Sequence, residues 1–244
     1  MKYLKPSTAY LLLSFLFVCG VACKKKQDNP NPQNPSAGLS ASTTAQDAAG
    51  NRYEVGFDQV SSTNQNPFVR KVSASGQEIW RLIYENTPVD GRGVWVALDA
   101  NQKPYVVFTV DGGSNDAGAI NKKELDNANA FSGVFQSGYG SGGGPKVSII
   151  ARLNPENGKI EKGTFVTARL TDGKTNTLNI TKFGFQNAKI AFEISSAAWP
   201  PGEGSSYARF PNITDADRVD GAFKIYYEMN TELSAIEKAV LLKN

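Results

Sequence analysis

The sequence predicts an all-β protein built from three four-stranded antiparallel units. Short stretches of alternating or β-branched apolar residues recur between residues 39 and 244, which is the pattern of half-buried strands. Pairs of these stretches flank turn-forming residues such as Gly50-Asn51 and Asn157-Gly158, so each pair predicts a hairpin. Two hairpins make a four-stranded unit, and this combination occurs three times along the chain.

The first 22 residues have the composition of a secretory signal peptide. Lys2 and Lys5 precede an apolar run over residues 9–18, and small residues follow that run. A helix that crosses a membrane needs about 20 apolar residues, so the run is too short for a permanent transmembrane anchor. We therefore expect export of the chain and removal of residues 1–22.

Residues 20–23, Gly-Val-Ala-Cys, resemble the lipobox of bacterial lipoproteins, with Gly20 where that family usually has Leu. The resemblance implies that fatty acyl chains such as palmitate are attached to Cys23 and that the signal peptide is cut before this residue. It also implies that the mature protein stays anchored to a membrane. Lys24 follows the cysteine, and in enterobacterial lipoproteins a residue other than Asp at this position favours delivery to the outer membrane.

Residues 23–38 predict a flexible tether. The stretch after the cysteine combines three lysines with asparagine, glutamine and proline, a composition that cannot bury apolar surface and favours extended, solvated backbone. The lysines can lie against anionic headgroups, or they can act only as solubilising charges. We assign residues 39–244 to a single β-repeat domain.

Composition excludes several classes of function. Loss of the signal peptide reduces the formal charge from +3 to +1, so no clustered basic face for nucleic acid is expected. The sequence has no histidine, and Cys23 is the only cysteine after processing because Cys19 leaves with the signal peptide. Ser-His-Asp catalysis, zinc sites made of His or Cys, and intrachain disulfides are therefore excluded. Carboxylate chemistry, oxygen-ligated cations and binding without catalysis remain open.

The three units follow one another along the predicted domain. Their paired stretches are residues 44–57 and 67–82, residues 96–110 and 147–163, and residues 179–194 and 222–239. The end of the third unit tests the pattern, because residues 231–242 are rich in strong helix formers. The repeat nevertheless predicts a strand there, since residues 236–238 have the same letters as residues 160–162.

The first unit contains D-x-x-G-N-x-Y at residues 47–53 and K-x-x-x-x-G-x-x-x-W at residues 71–80. This combination resembles the β-propeller repeats of secreted bacterial proteins. Asp99 and Tyr105 keep part of the pattern in the second unit, and the third unit diverges further. The resemblance implies blade-like units, and together with the lipobox it is similar to lipoproteins of the Bacteroidota type.

Three units raise the question of how the sheet edges are closed. Closed propellers typically have four to eight blades, so a β-prism or a distorted β-sandwich are the alternative architectures. Unpaired strand edges invite association with other chains. We expect the edges to be covered by residues 39–45 and the C-terminal stretch, or by formation of a homodimer.

Long connections between the second and third strands are the predicted binding regions. They are residues 58–66, 111–145 and 196–221, and in a meander all three leave the same side. Connections as long as the last two are usually functional or disordered. The candidate ligand-binding side chains are Phe135, Tyr139, Trp199 and Tyr207. Aromatic rings of this kind stack on sugars or peptide side chains, and the alternative is that they only fasten the loops to the sheets.

One acidic cluster is a candidate for a calcium ion. Asp215, Asp217 and Asp220 lie within a few residues of one another, and Ca²⁺ prefers six to eight oxygen ligands. The spacing differs from an EF-hand, because Tyr226 stands where that loop has its bidentate Glu. The alternative is that these aspartates cap turns. No other cofactor is expected.

The sequence therefore predicts a lipid-anchored binding module of the cell envelope, without catalysis, that recognises a glycan, a peptide or a partner protein. Two alternatives remain open. The first is a scaffold component of an outer-membrane assembly. The second is a carboxylate-dependent hydrolase, for which Glu124, Asp126 and Glu203 are candidate acids in the long loops.

Overall fold

The computed structural model describes residues 35–62, 64–84, 91–111, 129–142 and 147–243. The predicted signal peptide, the acylation candidate Cys23, and the loop acids Glu124 and Asp126 lie outside these residues. Fourteen strands and one short 3₁₀ turn form the described secondary structure. Within the described ranges, no helix has the length and apolar character needed to cross a bilayer.

The strands are numbered in chain order. The first sheet contains β1 (Thr44–Gln46), β2 (Arg52–Gln59), β3 (Gln65–Val72) and β4 (Glu78–Ile83). The second sheet contains β5 (Gly91–Leu98), β6 (Pro104–Val110), β7 (Val147–Leu153) and β8 (Ile160–Val166). A short hairpin follows, β9 (Ala168–Arg169) and β10 (Thr175–Asn176). The third sheet contains β11 (Asn179–Gln186), β12 (Lys189–Ser196), β13 (Phe223–Met229) and β14 (Ile236–Leu241).

The all-β prediction is confirmed, and each large sheet is an antiparallel meander of four consecutive strands. The strand predicted at the end of the third unit is also confirmed as β14. Its helix-forming residues adopt a strand because pairing with β13 places Ile236 in the core, where 1% of its surface is exposed. Tertiary burial outweighs a helix propensity of a few tenths of a kcal/mol per residue.

The first and second sheets begin with the same turn. Asp47 Oδ1 accepts the backbone N–H groups two and four residues ahead, at 3.0 and 2.8 Å. Asp99 Oδ1 makes the same two bonds, both at 2.8 Å. In each unit the tyrosine six residues after the aspartate, Tyr53 or Tyr105, is 1% exposed. An aspartate that bonds its own following backbone fixes a turn without needing glycine at every position, which explains why the second unit keeps the aspartate and the tyrosine.

All three sheets also share an irregularity between their third and fourth strands. The register shifts fall at Lys71/Val72, Arg152/Leu153 and Glu228/Met229. A bulge bends its strand and increases the local twist. The same distortion at the same place in each sheet means that the three units have the same local architecture.

The second sheet is the middle layer. All seven residues of β6 are buried, and residues 105–108 alternate between two hydrophobic clusters. Val106 and Phe108 pack toward the first sheet, whereas Tyr105 and Val107 pack toward the third. A sheet covered on both faces needs apolar residues at consecutive positions, and this explains the unbroken apolar run in β6.

One N-terminal segment covers the inner edges of all three sheets. The N–H of Phe183 on β11 donates to Ser40 O at 2.9 Å, and the N–H of Val96 on β5 donates to Ser42 O at 3.0 Å. The next residues form β1, which pairs with β2. Residues 40–46 therefore cover the edge strands β11 and β5 and also form the edge strand of the first sheet. This segment nearly coincides with residues 39–45, which were predicted to cover the sheet edges.

The long loops cover two of the outer edges. On β8, Gly163 N–H donates to Ala130 O and Phe165 N–H donates to Gln136 O, both at 3.0 Å. On β14, backbone bonds of 2.9 Å run in both directions between Gly204 and Ile236. Each insertion thus acts as a partial fifth strand on its own sheet.

The outer faces of the first and third sheets carry ion pairs. On the first sheet, Glu54 pairs with Arg52 at 2.5 Å and Arg70 at 2.6 Å. On the third sheet, Glu228 pairs with Lys238 at 3.1 Å and accepts the Tyr226 hydroxyl at 2.9 Å. Burial pushes the pKa of the Glu228 carboxyl upward, but the bonds from Lys238 and Tyr226 lower it below its ordinary value overall.

Glu228→Gln is expected to lower the free energy of unfolding by about 1–3 kcal/mol at neutral pH, because the substitution weakens a charge-assisted bond at a buried site. A carboxyl whose pKa is lowered in the folded state stabilises above its ordinary pKa of 4.5, and that stability is lost as the pH falls below it. The difference between parent and variant should therefore shrink in acid. Urea unfolding at pH 7 and pH 3 measures this.

Glu237→Gln is the matched control. Glu237 also pairs with a lysine, Lys189 at 2.7 Å, but both side chains of this pair are more than a third exposed. Its substitution should change stability by less than about 0.5 kcal/mol at either pH. An effect of Glu228→Gln that is equal at pH 7 and pH 3 would contradict the role assigned to the Glu228 carboxylate.

Candidate functional site

The ends of the two long loops meet on the short β9–β10 hairpin. Gly142, at the end of the described part of the first loop, pairs with Thr175 on β10. Trp199, at the start of the second loop, pairs with Arg169 on β9, with backbone N–H to oxygen bonds of 2.9 Å in both directions. The hairpin therefore joins segments that are far apart in the sequence and fixes the loops relative to the sheets.

Two of the predicted ligand-binding rings lie in the core. Phe135 is 3% exposed, and its N–H donates to Leu233 O at 2.8 Å. Tyr139 is 2% exposed, and its ring centroid is 6.3 Å from that of Phe165 on β8. Tyr139 fastens the loop to the second sheet, Phe135 packs in the cluster shared with the third sheet, and neither ring offers a face to a ligand.

Trp199 lies at the surface and is only partly buried. Its ring centroid is 5.2 Å from the centroid of Phe223, a core residue at the start of β13. The Cζ atom of Arg209 is 3.3 Å from the same indole centroid, so the guanidinium stacks on the ring. The indole N–H donates to Thr171 Oγ1 at 3.2 Å.

Strand geometry explains how these side chains meet. Residue 199 pairs with residue 169, and residue 201 pairs with residue 209, both antiparallel. Side chains directly opposite each other, or two positions along a strand, lie on the same face. The face presented here carries Arg169, Trp199, Tyr207 and Arg209. Together with Arg218, we call these residues the arginine–aromatic cluster.

Tyr207 is held inside this cluster. Its hydroxyl donates to Trp199 O at 3.0 Å, and the Cζ atom of Arg169 lies 4.2 Å from its ring centroid. Burial raises the pKa of the Tyr207 hydroxyl, and the charges of Arg169 and Arg209 offset only part of that increase. The phenol therefore remains a neutral hydrogen-bond donor at neutral pH.

The arginines of the cluster were not predicted from the sequence. Arg218 pairs with Asp215 at 2.9 Å and lies 4.1 Å from the ring centroid of Phe223. Among the described residues, Arg169 and Arg209 have no carboxylate partner, and Arg169 Nε is buried without a hydrogen-bond acceptor. The alternation of Tyr207 and Arg209 is the one local signal that two such side chains share a face.

The predicted calcium ligands are used in other interactions. Asp215 pairs with Arg218, as described above, and the Asp217 carboxylate accepts the Thr214 N–H at 2.9 Å. This bond, together with the ion pair to Lys243, holds the pKa of Asp217 below its ordinary value. In the described part of the chain, no group of three or more Asp, Glu, Cys or His is arranged to hold a metal ion.

Asp220 has a backbone φ of 53° in the turn that leads into β13. This left-handed conformation is tolerated by Asp and Asn better than by most residues. The position therefore fits the alternative considered for this cluster, in which the aspartates shape and cap turns.

A groove of about 730 Å³ lies at the opposite end of the sheets, near the short turns. Tyr105 and Phe185 form an edge-to-face pair in its wall, with ring centroids 5.1 Å apart. Arg152 pairs there with Glu161 and Glu232, both at 3.3 Å. This groove was not predicted from the sequence, because its walls come from turns of two different sheets.

Glu203, the described acid among the hydrolase candidates, lies beside the arginine–aromatic cluster. Its Oε1 accepts the N–H of Ala239 on β14 at 3.0 Å. It also lines a crevice of about 370 Å³ together with Arg209. The carboxylate thus has a structural role in attaching the loop to the third sheet.

No protein-family model matches this chain, and no curated protein resembles it at a significant level.

Proposed function

We propose that this protein is a lipid-anchored binding module of the cell envelope, without catalysis, and that it recognises its ligand through the arginine–aromatic cluster. The observation that carries the proposal is the surface position of Trp199 and Tyr207 beside two arginines that have no carboxylate partner among the described residues. Tryptophan, tyrosine and arginine are the residues that dominate binding energy at interfaces.

Rigidity supports the proposal. The cluster stands on backbone pairs between β9 and the loop, and its side chains are held by stacking and by the Tyr207 hydroxyl bond. A site held in place before the ligand arrives loses less conformational entropy on binding. The coverage of the β8 and β14 edges by the long loops also supports a module of this kind.

We also propose that the three large sheets are blade-like units of a divergent β-propeller repeat. The equivalent turns at Asp47 and Asp99 and the shared irregularity between the third and fourth strands support this relation. Residues 40–46 contain β1 and bond to β5 and β11, the first strands of the other two units, as expected for strands near a common axis.

Trp199→Ala is expected to abolish binding to whichever ligand the parent protein selects from a combined glycan and peptide array. The substitution removes the ring on which Arg209 stacks, so the guanidinium is no longer held in position. The measurement uses the mature protein in detergent, first on the array and then by titration with the selected ligand. Thermal unfolding of the same samples shows that the variant is folded.

Trp80→Ala is the matched control. Trp80 is also partly buried, and its indole N–H donates to a single oxygen, that of Pro155, at 3.1 Å. It belongs to the first sheet, away from the cluster, so its substitution should leave binding unchanged. Equal binding by the parent and Trp199→Ala, or no ligand on the array, would refute the proposed function.

A further inference from the structure

The cluster has an excess of positive charge. Of its three arginines, only Arg218 pairs with a carboxylate in the described part of the chain. Four other described arginines do have carboxylate partners: Arg52, Arg70, Arg81 and Arg152. Guanidinium groups carry their charge at every physiological pH. Two positive charges in one small area therefore attract an anion from outside the chain.

Stacking determines which atoms of these arginines can bind. The guanidinium of Arg209 lies over Trp199 at 3.3 Å, and that of Arg169 lies over Tyr207 at 4.2 Å. One flat face of each guanidinium is therefore occupied. Because Arg169 Nε is buried, the donors available to an acceptor are the terminal N–H groups of Arg169 and the edge N–H groups of Arg209. Arg209 uses one of them to donate to Ile213 O at 3.1 Å. The remaining donors form the planar fork that matches a carboxylate.

The rings themselves are poorly placed for stacking on a sugar. The Trp199 ring contacts both Arg209, at 3.3 Å, and Phe223, at 5.2 Å, and the Tyr207 ring is covered by Arg169. Recognition of a sugar by stacking needs an open aromatic face. The cluster is therefore built to bind through charge and edge-on hydrogen bonds.

An apolar crevice adjoins the charged site. Its volume is about 370 Å³, and Arg209 lines it. Its other walls are Gly202, Glu203, Ala208, Phe210, Pro211 and Ala239, which are apolar except for Glu203. A side chain next to the bound carboxylate could fill this space, and a polysaccharide has no apolar side chain to do so.

We propose that the arginine–aromatic cluster binds an acidic peptide segment in which carboxylates flank an apolar residue. The carboxylates bond to Arg169 and Arg209, and the apolar side chain enters the crevice beside Phe210. This inference rests on the binding function proposed above and specifies its ligand class.

The test is a titration of the mature protein in detergent with a fluorescein-labelled peptide in which two glutamates flank a leucine. Arg209→Gln is expected to weaken binding about tenfold or more, since hydrogen bonds to charged groups are worth about 1.5–3 kcal/mol. Arg209→Lys should restore only part of the affinity, because lysine keeps the charge but lacks the planar fork. Binding of the parent should also weaken as salt rises from about 0.05 to about 0.5 M.

Arg92→Gln is the control variant. Arg92 likewise has no carboxylate partner among the described residues, and it stacks on an aromatic ring, that of Phe57 at 4.8 Å, but it lies on the second sheet. Its substitution should leave the peptide affinity unchanged. Arg209 is exposed, so a normal thermal midpoint is expected for Arg209→Gln and separates lost binding from lost folding.

Two further probes distinguish the ligand classes. Replacing the glutamates of the peptide by glutamines should abolish binding, and replacing its leucine by glycine should weaken it. Tighter binding of oligogalacturonate than of the peptide would overturn the assignment to a peptide. If the array ligand requires Trp199 while the acidic peptide does not bind, this inference fails and the proposed function stands; if neither requires the cluster, both fail.

Discussion

Phe165→Ala is expected to lower the free energy of unfolding by about 3–5 kcal/mol, the usual cost of removing a buried phenylalanine. Phe165 lies on β8 with 0% of its surface exposed. Its ring centroid is 5.5 Å from that of Phe131 and 6.3 Å from that of Tyr139, both on the first long loop. The substitution therefore opens a cavity in the middle sheet and releases the loop that covers its outer edge.

The measurement is urea unfolding followed by circular dichroism, combined with limited proteolysis of the loop. Tyr139→Ala should lose about 3 kcal/mol through the same contact, which would show that this ring fastens the loop. Leu170→Ala is the control, because Leu170 is 42% exposed and its truncation should cost less than about 0.5 kcal/mol. A loss below about 1 kcal/mol for Phe165→Ala would mean that the loop is not held by this contact.

The strands were predictable because their signals are local. Alternating apolar residues around turn-forming residues give the two hairpins of each unit, and the observed sheets follow those boundaries closely. The exception is β5, which begins at Gly91, before the stretch predicted from residue 96. Its first residues include glycines, Gly91 and Gly93, that pack closely against the first sheet and carry no strand signal of their own.

Which sheets pack against one another could not be predicted from the sequence. The sequence pattern predicted half-buried strands, whereas β6 is buried along its whole length because a sheet covers each of its faces. The edge protection by residues 40–46 was anticipated in part, because free edges must be covered. The pairing of the same segment with β11 and β5 depends on the relative positions of whole sheets, which no local pattern specifies.

The burial of the candidate ligand-binding rings also could not be predicted from local sequence. Trp199 precedes two prolines in a loop, whereas Trp80 and Trp95 lie in strands, yet all three side chains are partly buried. Phe135 and Tyr139 have a similar glycine-rich context, yet they are buried, because the loop turns back along β8. Exposure of a loop aromatic depends on where the loop docks.

The arginines of the cluster could not be predicted from the sequence, because they become neighbours of the aromatic rings only in the folded structure. Arg169 and Trp199 are 30 positions apart in the sequence and become neighbours through backbone pairing between β9 and the second long loop. That no carboxylate of the described residues pairs with Arg169 or Arg209 is likewise visible only after folding. The small net charge of the sequence, +3, therefore does not reveal the positive charge concentrated at this site.

Cys23→Ser is expected to move the mature protein from the membrane fraction to the soluble fraction. The two or three acyl chains implied for Cys23 hold a protein on a bilayer, whereas one chain gives only marginal, reversible binding. Labelling with radioactive palmitate and mass spectrometry of the mature N-terminus measure the modification directly. Cys19→Ser is the matched control. Cys19 lies in the predicted signal peptide, so its substitution should leave acylation and membrane association unchanged. An N-terminus cut elsewhere without acyl mass, or a Cys23→Ser protein that stays fully membrane-bound, would refute the anchor.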